Sequence, residues 1–222
     1  MSAMPQPTHA VGPYDLPPLR FGYGDLAPVI DEATLRHHHL VVHKAYVDAV
    51  NATLTRRPEF LGKTIETLLR GLKDLPDDIR ADVREQGGGH ADHQFFWKIL
   101  SPPAERRPAG PLAAAIDATF GSFEAFKARF EAAALAHEGQ GWAFLSILPK
   151  SGFTLKILTL PDNGSVLSQP EPSPGLIICD LWDHASAPFG GRAAWLRAYW
   201  SLVDWDYIGE RFTGVHEGRS HL

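Results

Sequence analysis

A proline-rich segment, SPPAERRPAGP at residues 101–111, divides the chain. Proline cannot continue a helix or a central strand, and a run of it is typical of the linkers between domains. We therefore predict a domain boundary here, with domains over residues 16–105 and 106–222. Residues 1–15 are polar and contain several prolines, so we expect them to form a loose N-terminal extension.

The spacing of apolar residues differs on the two sides of this segment. Before it, the pattern is helical, most clearly over residues 33–56 and 90–100. After it, two helical patterns are followed by three short apolar runs of strand type, over residues 142–148, 153–160 and 176–179. The prediction is an α+β fold, with an N-terminal helical hairpin domain and a C-terminal domain of helices around a three-stranded antiparallel sheet.

Composition excludes several classes of protein. The 222 residues are 44% hydrophobic and 21% charged, and the net charge is -5, which argues against nucleic acid or an anionic membrane as a partner. Cys179 is the only cysteine, so no intramolecular disulfide can form. The N-terminus lacks the pattern of a signal peptide, and no apolar run reaches the length of a membrane-spanning helix. We expect a cytoplasmic enzyme.

The stretch GLIICDLWDH at residues 175–184 carries the first candidate site. Asp180 and His184 stand four residues apart, so both can face one metal ion from a helical turn. The same pair is also common in ordinary surface turns. Upstream, the first long helical pattern contains several histidines, and the second contains His93. Three imidazoles with one carboxylate suit iron or manganese, with zinc possible and copper less so.

Six motifs now bear on one family. They are LPPLRFGYGDLAP (16–28), HHHLVVHKAYV (37–47), GGGHADHQFFW (87–97), GQGWAF (139–144), DLWDHA (180–185) and WSLVDWD (200–206). In their order and spacing the chain resembles the manganese/iron superoxide dismutases from Leu16 to its end. The resemblance implies disproportionation of superoxide to oxygen and hydrogen peroxide at one manganese or iron ion, which keeps a fifth position for water or hydroxide.

The resemblance also implies the roles of particular residues. It places the metal ligands at His38, His93, Asp180 and His184, and Tyr46 at the position of the gateway tyrosine. It places an aromatic shell of the metal pocket at Trp97, Trp142 and Trp182. Of the histidines around His38, we expect His37 and His39 to be solvated, and His43 and His90 to be structural. The glycines at 87–89 are expected to stop or kink the chain.

Four departures from the family concern the contact between subunits and the entrance to the site. Val42 and Ala187 stand where the family has a histidine and a tyrosine that meet across a dimer interface. Asp183 replaces a glutamate that reaches the ligand histidine of the partner. The chain is about two residues shorter before Trp200, where Arg192 alone stands near the position of the family's paired arginines. The resemblance implies a homodimer, and these residues predict that its interface is altered.

The choice between manganese and iron depends on an amide near the metal. Iron-type members supply a glutamine before the second histidine ligand, where this chain has Gly89. Manganese-type members place the glutamine in the loop after the second strand, where this chain offers Asn163. We predict that manganese is slightly favoured and that Asn163 takes the place of the glutamine. The altered amide leaves open an alternative, a catalytically silent dismutase-like metal-binding protein with a structural role, and other redox chemistry at the same ligands is a third reading.

Overall fold

The computed structural model describes residues 14–148 and 154–218. It confirms the predicted α+β class, with helices in the N-terminal part and helices around a three-stranded antiparallel sheet in the C-terminal part. The helices of the N-terminal part are α1 (Glu32–His37), α2 (Lys44–Thr55), α3 (Ile65–Arg70), α4 (Asp77–Asp82) and α5 (Gly88–Lys98).

The first long helix is interrupted by a wider turn. The Asp31 carboxylate caps α1 by accepting from the backbone N–H of Thr34 over 2.8 Å. Between α1 and α2 the chain follows a π-helical segment, His38–His43, that contains three buried histidines. Such segments are rare and are frequent at functional sites.

The three consecutive glycines do not stop the chain, which corrects our prediction. After α4 a second π-helical segment, Val83–Gly87, leads directly into α5. A Cβ at Gly87 would lie 2.6 Å from the side chain of Ile65, and Gly88 and Gly89 are equally crowded. The glycines are therefore needed for close packing on a continuous helical path, since a side chain would not fit.

The C-terminal part begins with helices α6 (Gly110–Phe120) and α7 (Phe123–Ala136). The sequence predicts Ser122 as the N-cap of the second of these helices. The structure confirms this, because the Ser122 hydroxyl accepts from the backbone N–H of Ala125 over 3.1 Å. The sheet comprises β1 (Gly141–Leu148), β2 (Thr154–Pro161) and β3 (Gly175–Asp180). Helices α8 (Asp183–Ser186), α9 (Arg192–Tyr199) and α10 (Trp205–His216) complete this part.

Strand β1 lies in the centre of the sheet, in the order β2-β1-β3, and pairs antiparallel with both neighbours. It is buried along nearly its whole length, as expected for a central strand covered by helices. Its register with β3 places Trp142 opposite Asp180. The sheet therefore presents a large aromatic ring beside the carboxylate at the end of β3.

The apolar spacing predicts a final amphipathic helix over residues 193–203. Helix α9 lies there, and helix α10, which follows it, was not predicted. Of the predicted loose extension, residues 1–13 lie outside the described residues, whereas Tyr14 is buried and its hydroxyl donates to the carbonyl of Lys63. The sequence also predicts a turn over residues 149–152, between the first two strands, and these residues lie outside the described ones as well. In the part of the chain that the structure describes, no helix is long and apolar enough to cross a bilayer.

Candidate metal centre

Four side chains from separate elements converge where the N-terminal helices meet the sheet. His38 opens the first π-helical segment, His93 lies in α5, Asp180 ends β3, and His184 lies in α8. Each offers one ligand atom, and these atoms all lie within 4.8 Å of one another. The structure therefore brings together the four residues that the resemblance implied.

The His93 imidazole is oriented for metal binding by its own helix. Its Nδ1 lies 2.7 Å from the carbonyl oxygen of Gly89, which is the contact that fixes the tautomer of many metal-bound histidines. Nδ1 carries the proton because a carbonyl can only accept. Nε2 is left with its lone pair, is buried, and has no hydrogen-bond partner among the described residues. A buried acceptor without a partner is costly, and a metal ion would satisfy it.

His38 and His184 approach the same carboxylate oxygen. Their Nε2 atoms lie 3.2 Å and 3.0 Å from Oδ2 of Asp180. The His184 contact has the geometry of a hydrogen bond, whereas Nε2 of His38 is otherwise without a partner in the described chain. The site therefore offers three imidazole nitrogens, from His38, His184 and His93, and one carboxylate oxygen. This donor set suits iron or manganese.

The Asp180 carboxylate is fully buried but remains ionised. Burial alone would raise its pKa, and the neighbouring His184 and His38 nevertheless hold the pKa of Asp180 below its ordinary value. Oδ1 accepts from the backbone N–H of Trp182 over 2.8 Å. The carboxylate is thereby turned so that Oδ2 faces the three histidines.

The buried imidazoles are held neutral. Burial lowers the pKa of His93 to about 3, with a further contribution from His38. Burial also lowers the pKa of His38. Neutral imidazoles with available lone pairs are the form that binds metal ions.

Aromatic rings enclose the four candidate ligands, as the resemblance implied. The rings of Trp97 and Trp142 stand edge-on to His38 and His93, with centroids 4.8 Å and 5.0 Å apart. The ring of Trp182 lies 5.8 Å from that of His184. A shell of this kind excludes water and leaves the field of a bound ion largely unscreened.

Tyr46 packs directly against the candidate centre. Its ring centroid lies 5.3 Å from that of His93, and a Cβ at Gly89 would come within 2.6 Å of the same ring. Gly89 is therefore required for Tyr46 to lie where it does. Burial raises the pKa of Tyr46, and a hydrogen bond with Asn163 acts against that rise.

The structure places Asn163 beside Tyr46, in the loop after β2. It is 1% exposed, and its Oδ1 lies 3.5 Å from Nε1 of Trp142. Its Nδ2 donates to Glu85 over 2.6 Å. Glu85 was not among the predicted site residues, because it lies on another element and far away in the sequence.

The exposure of the histidines around His38 differs from the prediction at one position. His37 is exposed, as expected. His39 is buried, which corrects the prediction that it is solvated, because it joins the N-terminal arm to the helix through the hydroxyl of Tyr23 and the carbonyl of Pro17. His43 and His90 share a buried hydrogen bond of 2.9 Å, which confirms that they are structural.

The departures from the family lie at or near the surface. Val42 is half-buried, and Ala187 is exposed. The guanidinium of Arg192 donates to four backbone carbonyls, those of Ala134, His137, Gly139 and Leu181. Arg192 therefore ties the end of α7 to the segment that follows Asp180.

Comparison with known families decides where the chain belongs. The family described as iron/manganese superoxide dismutases matches twice, its alpha-hairpin domain over residues 13–101 and its C-terminal domain over residues 108–211. The chain belongs to the iron/manganese superoxide dismutase family. The resemblance predicted from the motifs is confirmed, and with it the fold and the class of enzyme.

Relatives are similar along most of their length. A manganese superoxide dismutase of Listeria monocytogenes is 39% identical over 202 residues, which cover 90% of this chain and 97% of the relative. One of Thermus aquaticus is 39% identical over 205 residues, covering 91% and 98%. One of Leptolyngbya boryana is 36% identical over 213 residues, covering 95% and 84%.

Proposed function

We propose that this dismutase binds one manganese or iron ion through Nε2 of His38, His93 and His184 and Oδ2 of Asp180, and disproportionates superoxide to oxygen and hydrogen peroxide. The observation that carries the proposal is the convergence of these four atoms within 4.8 Å in a buried site, with nitrogens that have no other partner in the described chain. When bound, the ion would supply the one-electron redox couple that this reaction needs.

The protein residues would hold the ion, exclude water and deliver protons. The buried, ionised Asp180 faces the neutral imidazoles of His38 and His93, and its negative charge favours a multiply charged cation. The aromatic shell restricts entry to small molecules such as superoxide. Tyr46 and Asn163, joined by a hydrogen bond, would relay and orient the protons that peroxide formation consumes.

We propose manganese as the slightly favoured metal. Gly89 supports this choice, because the ring of Tyr46 occupies the space that the side chain of an iron-type glutamine would need. The curated relatives described above, which are named as manganese enzymes, support it too. Asn163 would take the place of the manganese-type glutamine.

Assembly and location form a second part of the proposal. We infer a homodimer with an altered interface, a cytoplasmic location, and superoxide rather than nucleic acid or a membrane as the partner. The domain boundaries remain those predicted above, with domains over 16–105 and 106–222. These inferences follow from the resemblance and from the composition of the chain.

The consecutive histidines provide a test of the site. His38→Gln removes a proposed ligand, whereas His37→Gln changes its exposed neighbour. We expect the His38 variant to lose bound metal and dismutase activity together, and the His37 variant to keep both. Equal metal content and activity in the two variants would contradict the proposed ligand set. A wild-type protein that binds metal but shows no dismutase activity would favour the catalytically silent alternative.

A further inference from the structure

Two neighbouring side chains, those of Glu85 and Trp142, fix the orientation of the Asn163 amide. Its Nδ2 donates to Oε1 of Glu85 over 2.6 Å, and Nε1 of Trp142 lies 3.5 Å from its Oδ1. An ionised carboxylate can only accept a hydrogen bond, and an indole N–H can only donate one. The nitrogen therefore faces Glu85 and the oxygen faces Trp142, which removes the usual ambiguity between the two ends of an amide.

The backbone of the Asn163 loop is held independently of Glu85. A Cβ at Gly88 would overlap the carbonyl oxygen of Asn163, so the loop rests directly on the start of α5. One turn further on, the buried carboxyl of Asp92 hydrogen-bonds Ser165. Because these contacts do not involve the Glu85 side chain, its replacement should leave the loop in place and change only the direction of the amide.

The contact with Glu85 removes a hydrogen-bond donor from the pocket. An amide nitrogen has two N–H groups, and one of them is directed to Glu85. The other is all that remains for Tyr46, which also hydrogen-bonds Asn163, and for any small ligand beside the ring. The amide therefore offers the pocket less positive potential than a free amide would.

We propose that Glu85 is a positioning residue, which turns the amide nitrogen of Asn163 away from the candidate metal centre and so weakens the binding of small anions there. This inference rests on the proposed function, since it concerns an anion at the metal held by His38, His93, Asp180 and His184. Glu85 itself is half-buried and does not touch the candidate ligands through any contact in the described chain.

Two substitutions separate the charge of Glu85 from its hydrogen bond. Glu85→Gln removes the negative charge but keeps an oxygen that accepts from Nδ2 of Asn163. Glu85→Ala removes both and frees the amide to turn. Loss of the charge alone should tighten anion binding in both variants. The freed N–H should tighten it further in the alanine variant, since a hydrogen bond to a charged group changes affinity by about tenfold.

The probe is azide, a small anion, titrated into the full-length metal-loaded protein and followed by its optical spectrum. We expect Glu85→Ala to bind azide about tenfold more tightly than Glu85→Gln, and Glu138→Gln, at an exposed carboxylate, to match the wild type. Equal azide affinity of the two Glu85 variants would overturn the proposal.

Crystal structures of the wild type and of Glu85→Ala provide a second readout that does not depend on activity. The proposal requires Nδ2 of Asn163 to bond Glu85 in the first and to turn toward the pocket in the second. An unchanged amide in the alanine variant would refute it. Failure of the proposed function is distinguishable, because it would appear as a wild-type protein that takes up neither manganese nor iron.

Discussion

Gln140 and Asp183 exchange two hydrogen bonds within one chain. Nε2 of Gln140 donates to Oδ2 of Asp183 over 2.8 Å, and the backbone N–H of Asp183 donates to Oε1 of Gln140 over 2.9 Å. The family resemblance assigns to this position a glutamate that reaches the ligand histidine of the partner. A carboxylate that already accepts a hydrogen bond within its own chain is a weaker candidate for a contact between chains.

Restoring the family's cross-interface pair should strengthen a dimer. Val42→His combined with Ala187→Tyr would provide both halves of one hydrogen bond, which occurs twice in a symmetric dimer. We expect the double variant to lower the dissociation constant about thirtyfold, since two hydrogen bonds of roughly 1 kcal/mol each contribute to the dimer. Each single variant should give no such gain. Sedimentation velocity over a dilution series measures the dissociation constant of the dimer. A single variant that tightened the dimer as much as the double variant would contradict the prediction.

Gly89 and Gly209 provide a matched pair of helical glycines. A Cβ at Gly89 would lie 2.6 Å from the ring of Tyr46, whereas a Cβ at Gly209 in α10 meets no atom within 4 Å. We expect Gly89→Ala to lower the free energy of unfolding by about 1–3 kcal/mol through overpacking. Gly209→Ala should raise it by about 0.5–1 kcal/mol, because alanine favours the helix. Urea unfolding measures both, and a Gly89 variant as stable as the wild type would show that the site accommodates a methyl group.

Arg192 should stabilise the segment that carries Asp180. Its guanidinium donates to four backbone carbonyls, including that of Leu181, and an ammonium group cannot reach this set. We expect Arg192→Lys to lower the free energy of unfolding by about 1–3 kcal/mol. Arg197→Lys, at an exposed position of the same helix, should change it little. Thermal unfolding measures the effect, and equal midpoint temperatures of the two variants would argue against the anchoring role of Arg192.

His90 should make the protein less stable in acid. Burial, with a smaller contribution from Lys98, lowers the pKa of His90 to about 4. An unfolded histidine has a pKa of about 6.5. At a pH between the folded and unfolded pKa values, His90 is therefore protonated in the unfolded state and neutral in the folded state. The stabilisation is complete above pH 6.5 and is lost as the pH falls toward 4, by at most ~3 kcal/mol.

Substitution of His90 isolates this effect. In urea unfolding at pH 7 and pH 5, His90→Gln should lose less stability on acidification than the wild type does. The exposed His37→Gln should behave like the wild type. If His90→Gln retained the full loss between the two pH values, other groups would account for it.

The family resemblance was sufficient to predict which four residues converge, because each lies in a short motif with its own spacing. His38 stands eight residues before Tyr46, and Asp180 and His184 stand within DLWDH. The class of fold followed from the change of apolar period across the proline-rich segment. Helix α10 was missed because the predicted final helix was ended at residue 203.

The contacts around the candidate ligands could not be predicted in the same way. Glu85 meets Asn163 across 78 positions of sequence, and Gln140 meets Asp183 across 43. Neither pair shows any local period or motif. The glycines at 87–89 were interpreted as a stop or a kink because glycine usually weakens helices, whereas here tertiary packing requires them.

The most direct test of the proposed function is dismutase activity of protein loaded separately with manganese and with iron, with the metal content of each form measured by mass spectrometry. We predict about one ion per chain, and activity well above that of the free metal ion, with the manganese form at least as active as the iron form. Bound metal without activity in either form would contradict the proposed dismutase activity.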